Sequence, residues 1–199
     1  MKKNGRRTPR KIPEVLSPEE QRRFLEQLQP TDTLIKLRNY AVLRLMLNTG
    51  LRISEMIGLQ LKDVDWRSGS LKVRGKGDKE RMLWLSAGDR QLLQDWLAHR
   101  PGKPQPQDPL FTDLDGRKPV CERWFRDLIY RVAREAGIVK RISPHTLRHT
   151  FATDLLRSTK NLFLVSKALG HANLTTTQIY LHLVDGEMED ALKNLRNGG

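Results

Sequence analysis

Ser143-Pro144-His145-Thr146-Leu147-Arg148 places a histidine and an arginine three residues apart, behind a cap residue and a proline. Serine accepts from the free N–H groups of a first helical turn and proline fits the first helical position, so a helix starts here with His145 and Arg148 on one face. Unpaired N–H groups and the positive end of the helix dipole make this a good setting for a phosphate. The commoner role of such a start is an exposed capping turn, and the segment alone does not decide between the two. His145 and His149 stand four apart, a spacing that can bind zinc. Position 146 is threonine where metalloprotease helices carry glutamate, however, and no cysteine or acidic ligand set accompanies the pair.

Three further segments hold candidate chemistry. Thr49-Gly50-Leu51-Arg52-Ile53-Ser54-Glu55 puts Arg52 at a turn-to-helix junction, with Ile53, Met56 and Ile57 as the buried stripe behind it. Arg52 then points away from the core, either as a surface ion pair with Glu55 or as a guanidinium that Glu55 orients. Gly75-Lys76-Gly77-Asp78-Lys79 reads as a hairpin turn whose glycines let a lysine reach a neighbouring groove, or as a solvated loop. Leu169-Gly170-His171 ends a helix on a glycine cap, and Asn173 can cap the next helix, which carries Tyr180 about two turns along.

The elements that must position these residues follow from local signals. Ser17-Pro18-Glu19-Glu20 starts a helix that ends near Pro30, and a second spans 33–48 with Ile35, Ala41, Val42, Leu45 and Met46 mostly on one face. Thr49-Gly50 breaks it, and another opens at about Arg52. Between Lys62 and Leu85 the pattern shifts to strands at 64–66, 71–74 and 82–85, a small antiparallel sheet. Ser86 with Asp89 starts a further helix, 101–109 is a proline-rich surface loop, 120–136 is helical, and the chain after Ser143 is helical throughout. Residues 188–195 space Met188, Ala191, Leu192 and Leu195 as a short amphipathic helix. The fold class expected is mainly α with a small three-stranded antiparallel sheet, an α+β arrangement.

Composition narrows the partner. The 199 residues hold 36 Lys and Arg against 23 Asp and Glu, a formal charge of +13, which favours a polyanion. No apolar run is long enough to span a membrane, and the charged start leads into Ile12-Pro13-Glu14 rather than an apolar signal. Cys121 is alone and forms no internal disulfide. A soluble, cytoplasmic protein associated with the nucleoid is the expectation. Residues 1–11 are a basic flexible tail, and 12–199 one domain with a core supplied by 38% hydrophobic residues.

In type and order the series resembles the tyrosine recombinase, or phage integrase, family. It runs as an arginine after Thr-Gly-Leu, a lysine in a β-turn, His-x-x-Arg, Leu-Gly-His and then tyrosine, over roughly residues 12 to 195. The resemblance implies that family's catalytic-domain fold and a DNA-cutting, DNA-rejoining enzyme. Arg52 and Arg148 would grip the non-bridging oxygens of the scissile phosphate, and Tyr180 would attack phosphorus to give a 3′-phosphotyrosyl link and a free 5′ hydroxyl. The resemblance gives His145 the acid–base role, His171 a phosphate hydrogen bond, and Lys76 the role of general acid to the leaving oxygen, with Lys79 as the alternative. It calls for double-stranded DNA as partner and for neither metal nor cofactor. Helix 188–195 would dock on the next protomer in a tetramer on two DNA sites.

Most relatives carry a separate helical DNA-binding domain before the segment that starts here near Lys11. Its absence fits a naturally short member or a fragment. The competing activities are a type IB topoisomerase, which shares the arginine, lysine and tyrosine chemistry, and an inactive DNA-binding fragment. Leu-Gly-His and the C-terminal helix favour recombination over the first. A complete set of reactive residues argues against the second.

Overall fold

In a computed structural model, the residues described are 13–29, 33–75, 77, 79–116, 118–171 and 173–181. Cap chemistry sets where most helices begin. In α1 (Pro18–Glu26) the Ser17 hydroxyl accepts from the Glu20 backbone while the Glu20 carboxylate accepts from the Ser17 N–H, two orphan donors satisfied at once. Ser86 caps α4 (Ala87–His99) by accepting from the Asp89 N–H, and its hydroxyl donates to the Asp89 carboxylate. Ser143 caps α6 (Pro144–Thr159), where Thr146 returns the bond in the place glutamate usually takes.

The centre of the fold is α2 (Leu34–Thr49), buried nearly all round and packed by α4 on one side and α6 on another. Ala41, Val42, Leu45 and Met46 are buried as expected, while Ile35 in the first turn is exposed. The helix stops at Gly50, whose left-handed φ of 60° favours glycine, and a Cβ there would collide with the Phe151 ring on α6. This close approach brings the turn before α3 (Ile53–Gly58) against α6, where Arg148 donates to the Gly50 carbonyl. Helix α5 (Glu122–Glu135) lies against α1, α3 and α6, and α7 (Leu162–Leu169) packs on α6 and the sheet.

Among the described residues two strands form the sheet, not the three expected. β1 (Ser70–Arg74) pairs antiparallel with β2 (Glu80–Trp84), and Val64 contributes one bridge to Leu71. The segment 64–66 alternates like a strand, but it is cut short on both sides. A 3₁₀ turn at Leu61–Asp63 precedes it, and the Asp65 carboxylate then gathers the Arg67 and Ser68 N–H groups into a turn. Register decides what the sheet buries. Leu71, Val73 and Leu83 face the core, and Arg81, opposite Val73, is carried inward with them. Lys72, Arg74, Met82 and Trp84 point out.

A smaller apolar cluster of Ala152, Leu156, Val165, Leu169 and Tyr180 joins α6, α7 and the segment after them. That segment is expected to be α-helical. It instead makes two 3₁₀ turns, Leu174–Thr176 and Gln178–Tyr180, in which Asn173 accepts from the Thr175 N–H. Among the described residues no helix is long and apolar enough to cross a membrane.

Candidate active site

An arginine carried inward by strand register must find a counter-charge. Arg81 donates two parallel bonds to the Glu55 carboxylate, 2.9 and 2.8 Å, and its Nε donates to the Ala168 carbonyl at 2.8 Å. Glu55, only 3% exposed, also accepts from the Arg52 backbone N–H at 2.8 Å and from the Arg52 guanidinium at 2.9 Å. Arg52 is thus oriented by Glu55, one of the two readings open from its spacing, and its 39% exposure leaves the outer edge of the guanidinium accessible. Burial pushes the Glu55 carboxyl up, but the bonds and charges of Arg81 and Arg52 hold it below the usual carboxylate range.

Arg148 completes the cluster from α6. Its two terminal nitrogens donate to the Gly50 carbonyl at 2.6 Å and the Leu169 carbonyl at 2.7 Å, and it lies 3.9 Å from Glu55. Arg52 reaches the same Leu169 carbonyl at 3.4 Å. The carbonyl end of α7 therefore meets three guanidiniums, the arrangement its dipole favours. Burial first, then the charges of Arg52 and Arg81, lowers Arg148 to about 10, which leaves it charged at neutral pH. One carboxylate among three guanidiniums makes a rigid site with positive charge to offer an anion.

His171 extends the cluster. Its Nε2 lies 3.3 Å from an Arg148 terminal nitrogen and its Nδ1 2.9 Å from the Thr177 hydroxyl. Because Arg148 can only donate, Nε2 accepts and Nδ1 carries the proton. Burial, followed by the charges of Arg148 and Arg52, lowers the ring to about 4, so it is neutral at pH 7. Arg52, His171, Lys79 and Lys167 line a cleft of about 1380 Å³ between the hairpin and the end of α7, with Arg74 and Trp84 also on its wall.

Tyr180 is 1% exposed, packed in the small cluster against α6 and α7, and its hydroxyl sits 2.6 Å from Nδ1 of His149. Burial pushes the phenol up to about 12 against the opposing charge of Arg148. Of the residues singled out by sequence, Arg52, Arg148 and His171 come together, with Tyr180 beside them through α6. His145 is exposed on the first turn of α6 and makes no hydrogen bond to Tyr180. Lys76 and helix 188–195 lie outside the described residues, while Lys79 is on the cleft wall.

Two residues escaped the sequence reading. Arg81 was legible only through strand register, which pairs it with inward-facing Val73. His149 entered only as half of a zinc spacing, and nothing in its neighbourhood along the chain points to Tyr180, which is 31 positions away. Among the described residues no three His, Cys, Asp or Glu side chains gather as a metal-ligand set.

Comparison with known proteins agrees with the geometry. Residues 14–187 match the phage integrase family. Tyrosine recombinase XerD of Oceanobacillus iheyensis is 38% identical over 185 residues, covering 91% of this chain and 61% of that protein. Tyrosine recombinase XerC of Xylella fastidiosa is 39% identical over 182 residues, covering 90% and 60%. The chain thus spans about three fifths of the length of these curated relatives. Among solved structures, XerH site-specific recombinase in a post-cleavage complex with palindromic difH substrate superposes with a TM-score of 0.80 at 33% identity, covering 92% of this chain and 53% of that one. XerA recombinase gives 0.79 at 33% identity, covering 94% and 67%. With the match running through nearly the whole chain and through the cluster just described, this protein belongs to the phage integrase family of tyrosine recombinases.

Proposed function

We propose that this chain is a site-specific DNA recombinase that cuts and rejoins duplex DNA by transesterification at Tyr180. The observation that carries the reading is that Arg52 and Arg148 meet at the Leu169 carbonyl with His171 against Arg148, while Tyr180 is hydrogen-bonded to His149, the neighbour of Arg148 on α6. Arg52 and Arg148 bind the non-bridging oxygens of the scissile phosphate and oppose the charge that grows on them in the transition state. The hydrogen bond that the resemblance gives His171 to that phosphate requires its proton on Nε2, with the Thr177 hydroxyl then donating to Nδ1 and the Arg148 nitrogen turned to the phosphate.

The Tyr180 oxygen forms the new bond to phosphorus while the bond to the 5′ oxygen breaks, leaving a 3′-phosphotyrosyl link. Lys76 protonates the departing oxygen, with Lys79 on the cleft wall as the alternative; the acid–base role at Tyr180 that the resemblance gives His145 is without a hydrogen bond between the two among the described residues. One phosphoester replaces another, so rejoining to a new end needs no ATP. A chain of net charge +13 holds the duplex mainly through phosphates, and its affinity falls steeply with salt. Four protomers on two sites, linked through helix 188–195, complete the assembly.

The test uses a pool of nicked suicide duplexes, randomised in sequence, from which covalently captured strands are recovered. Wild type forms an adduct that survives denaturing electrophoresis, and Tyr180→Phe, which removes one oxygen, forms none. Adduct with Tyr180→Phe, or none with wild type on any duplex, overturns the reading.

A further inference from the structure

We propose that His149 is the proton acceptor for Tyr180 in the cleavage step, and its donor in rejoining. The inference rests on the reading of Tyr180 as nucleophile. Among the described residues, His149 is the one whose side chain hydrogen-bonds the Tyr180 hydroxyl, at 2.6 Å, and the two rings pack with centroids 5.6 Å apart. His145, one turn earlier, faces solvent. Sequence neighbours on α6, Arg148 and His149 put the phosphate-binding charge and the proton acceptor on one rigid support, so the distance between them is fixed by helix geometry rather than by a loop.

The ring is in the right state for the task. Burial first, then the charges of His145 and Arg148, lowers it to about 4, so at pH 7 it is neutral, and the tautomer protonated at Nε2 offers the phenolic proton a lone pair on Nδ1. A phosphodiester held by Arg148 offsets one of those charges and adds an anion nearby, so the imidazole gains basicity as the substrate arrives. In cleavage an oxygen lone pair of Tyr180 forms the bond to phosphorus and the phenolic proton passes to Nδ1. The electrons of the broken bond leave with the 5′ oxygen, which takes its proton from the lysine acid. Rejoining runs the same transfers backwards, and the imidazolium returns its proton to the departing phenol.

The decisive variant is His149→Asn, whose amide oxygen can accept a hydrogen bond where Nδ1 stood but cannot take a proton. On the duplex recovered with wild type, its rate of adduct formation is expected to fall about 100-fold or more, while duplex binding by gel shift is unchanged. The loss persists on a substrate with a 5′-bridging sulfur, which departs without a general acid. A fluorinated tyrosine incorporated at position 180, more acidic than tyrosine, restores most of the rate.

His149→Gln is run beside it, so that a fault peculiar to one side chain does not pass for loss of a base. Wild-type or faster adduct formation by His149→Asn overturns the proposal, as does recovery on the sulfur substrate or no recovery with the fluorinated phenol. Loss of duplex binding in both variants makes His149 a structural residue and overturns it too. If adduct persists with Tyr180→Phe, the nucleophile reading falls first. If that control holds and His149→Asn reacts normally, the base assignment alone falls.

Discussion

The arginine cluster and the tyrosine pocket are built on opposite principles. Around Glu55 everything is charge and backbone polarity: three guanidiniums are fixed by one buried carboxylate and by the carbonyls of Gly50, Ala168 and Leu169. Around the Tyr180 side chain, among the described residues, the packing is apolar, and its hydroxyl hydrogen-bonds His149. The first region is held rigid by the protein's own charges and carbonyls, which is what the proposed stabilisation of a transition state requires. The second keeps the Tyr180 hydroxyl neutral and covered. Two helices serve both regions: α6 through adjacent Arg148 and His149, and α7 through its Ala168 and Leu169 carbonyls on one side and its Val165 and Leu169 side chains on the other.

The largest expected effect comes from breaking the polar side at its centre. Glu55→Ala leaves Arg81 and Arg148 without their buried counter-charge, and a loss of about 3–5 kcal/mol in urea unfolding is expected. A loss under about 1 kcal/mol would mean that the carbonyls of α7 alone hold the arginines.

Next, Arg148→Ala separates grip from attack. Adduct formation is expected to fall about 10²- to 10³-fold while duplex binding persists, because one oriented charge at the reacting phosphate is lost and the rest of the basic surface is not. Arg148→Lys should recover little, since an ammonium cannot span both the Gly50 and Leu169 carbonyls. Full recovery with lysine would reduce Arg148 to a point charge.

The smallest effect is a pH dependence that reads both regions together. His149 and His171 both lie at about 4 in the folded chain, below the ordinary 6.5. Between those values the unfolded chain binds more protons, so the stability these rings contribute is present above pH 6.5 and is lost as pH falls toward 4. Glu55 has the same sign at lower pH, its contribution fading below its ordinary 4.5. Melting temperature should therefore decline from pH 6.5 downward, and His149→Asn should flatten the slope while leaving the part due to His171. An unchanged slope in that variant would mean that the His149 ring is not held neutral by the fold.

What was legible in the sequence was whatever chemistry is local. Ser17, Ser86 and Ser143 announce their helices because a cap and its partner lie within four residues, and Gly50 and Gly170 mark ends because only glycine rests easily at their positive φ. Arg52, Arg148 and His171 each stand beside a helix start or stop, whereas Tyr180 was singled out by its place after Leu-Gly-His in the family's series. The third strand was misread because 64–66 has a strand's alternation, while its interruption comes from an Asp65 turn that the alternation hides. The partnership of Arg81 with Glu55 depends on sheet register across 26 positions, and that of His149 with Tyr180 on the docking of α7 and the following 3₁₀ turns. Neither has a local signature.

The most direct test of the account is to map the trapped adduct by peptide mass spectrometry. Trypsin should release Tyr180 in a peptide that starts at Ala168, after Lys167, and holds no other tyrosine, so the added nucleotide mass has one possible phenolic carrier there. The mass of a 3′-linked nucleotide on that peptide is the predicted result. The same mass on a peptide carrying Tyr40 or Tyr130, with the Ala168 peptide unmodified, would contradict it.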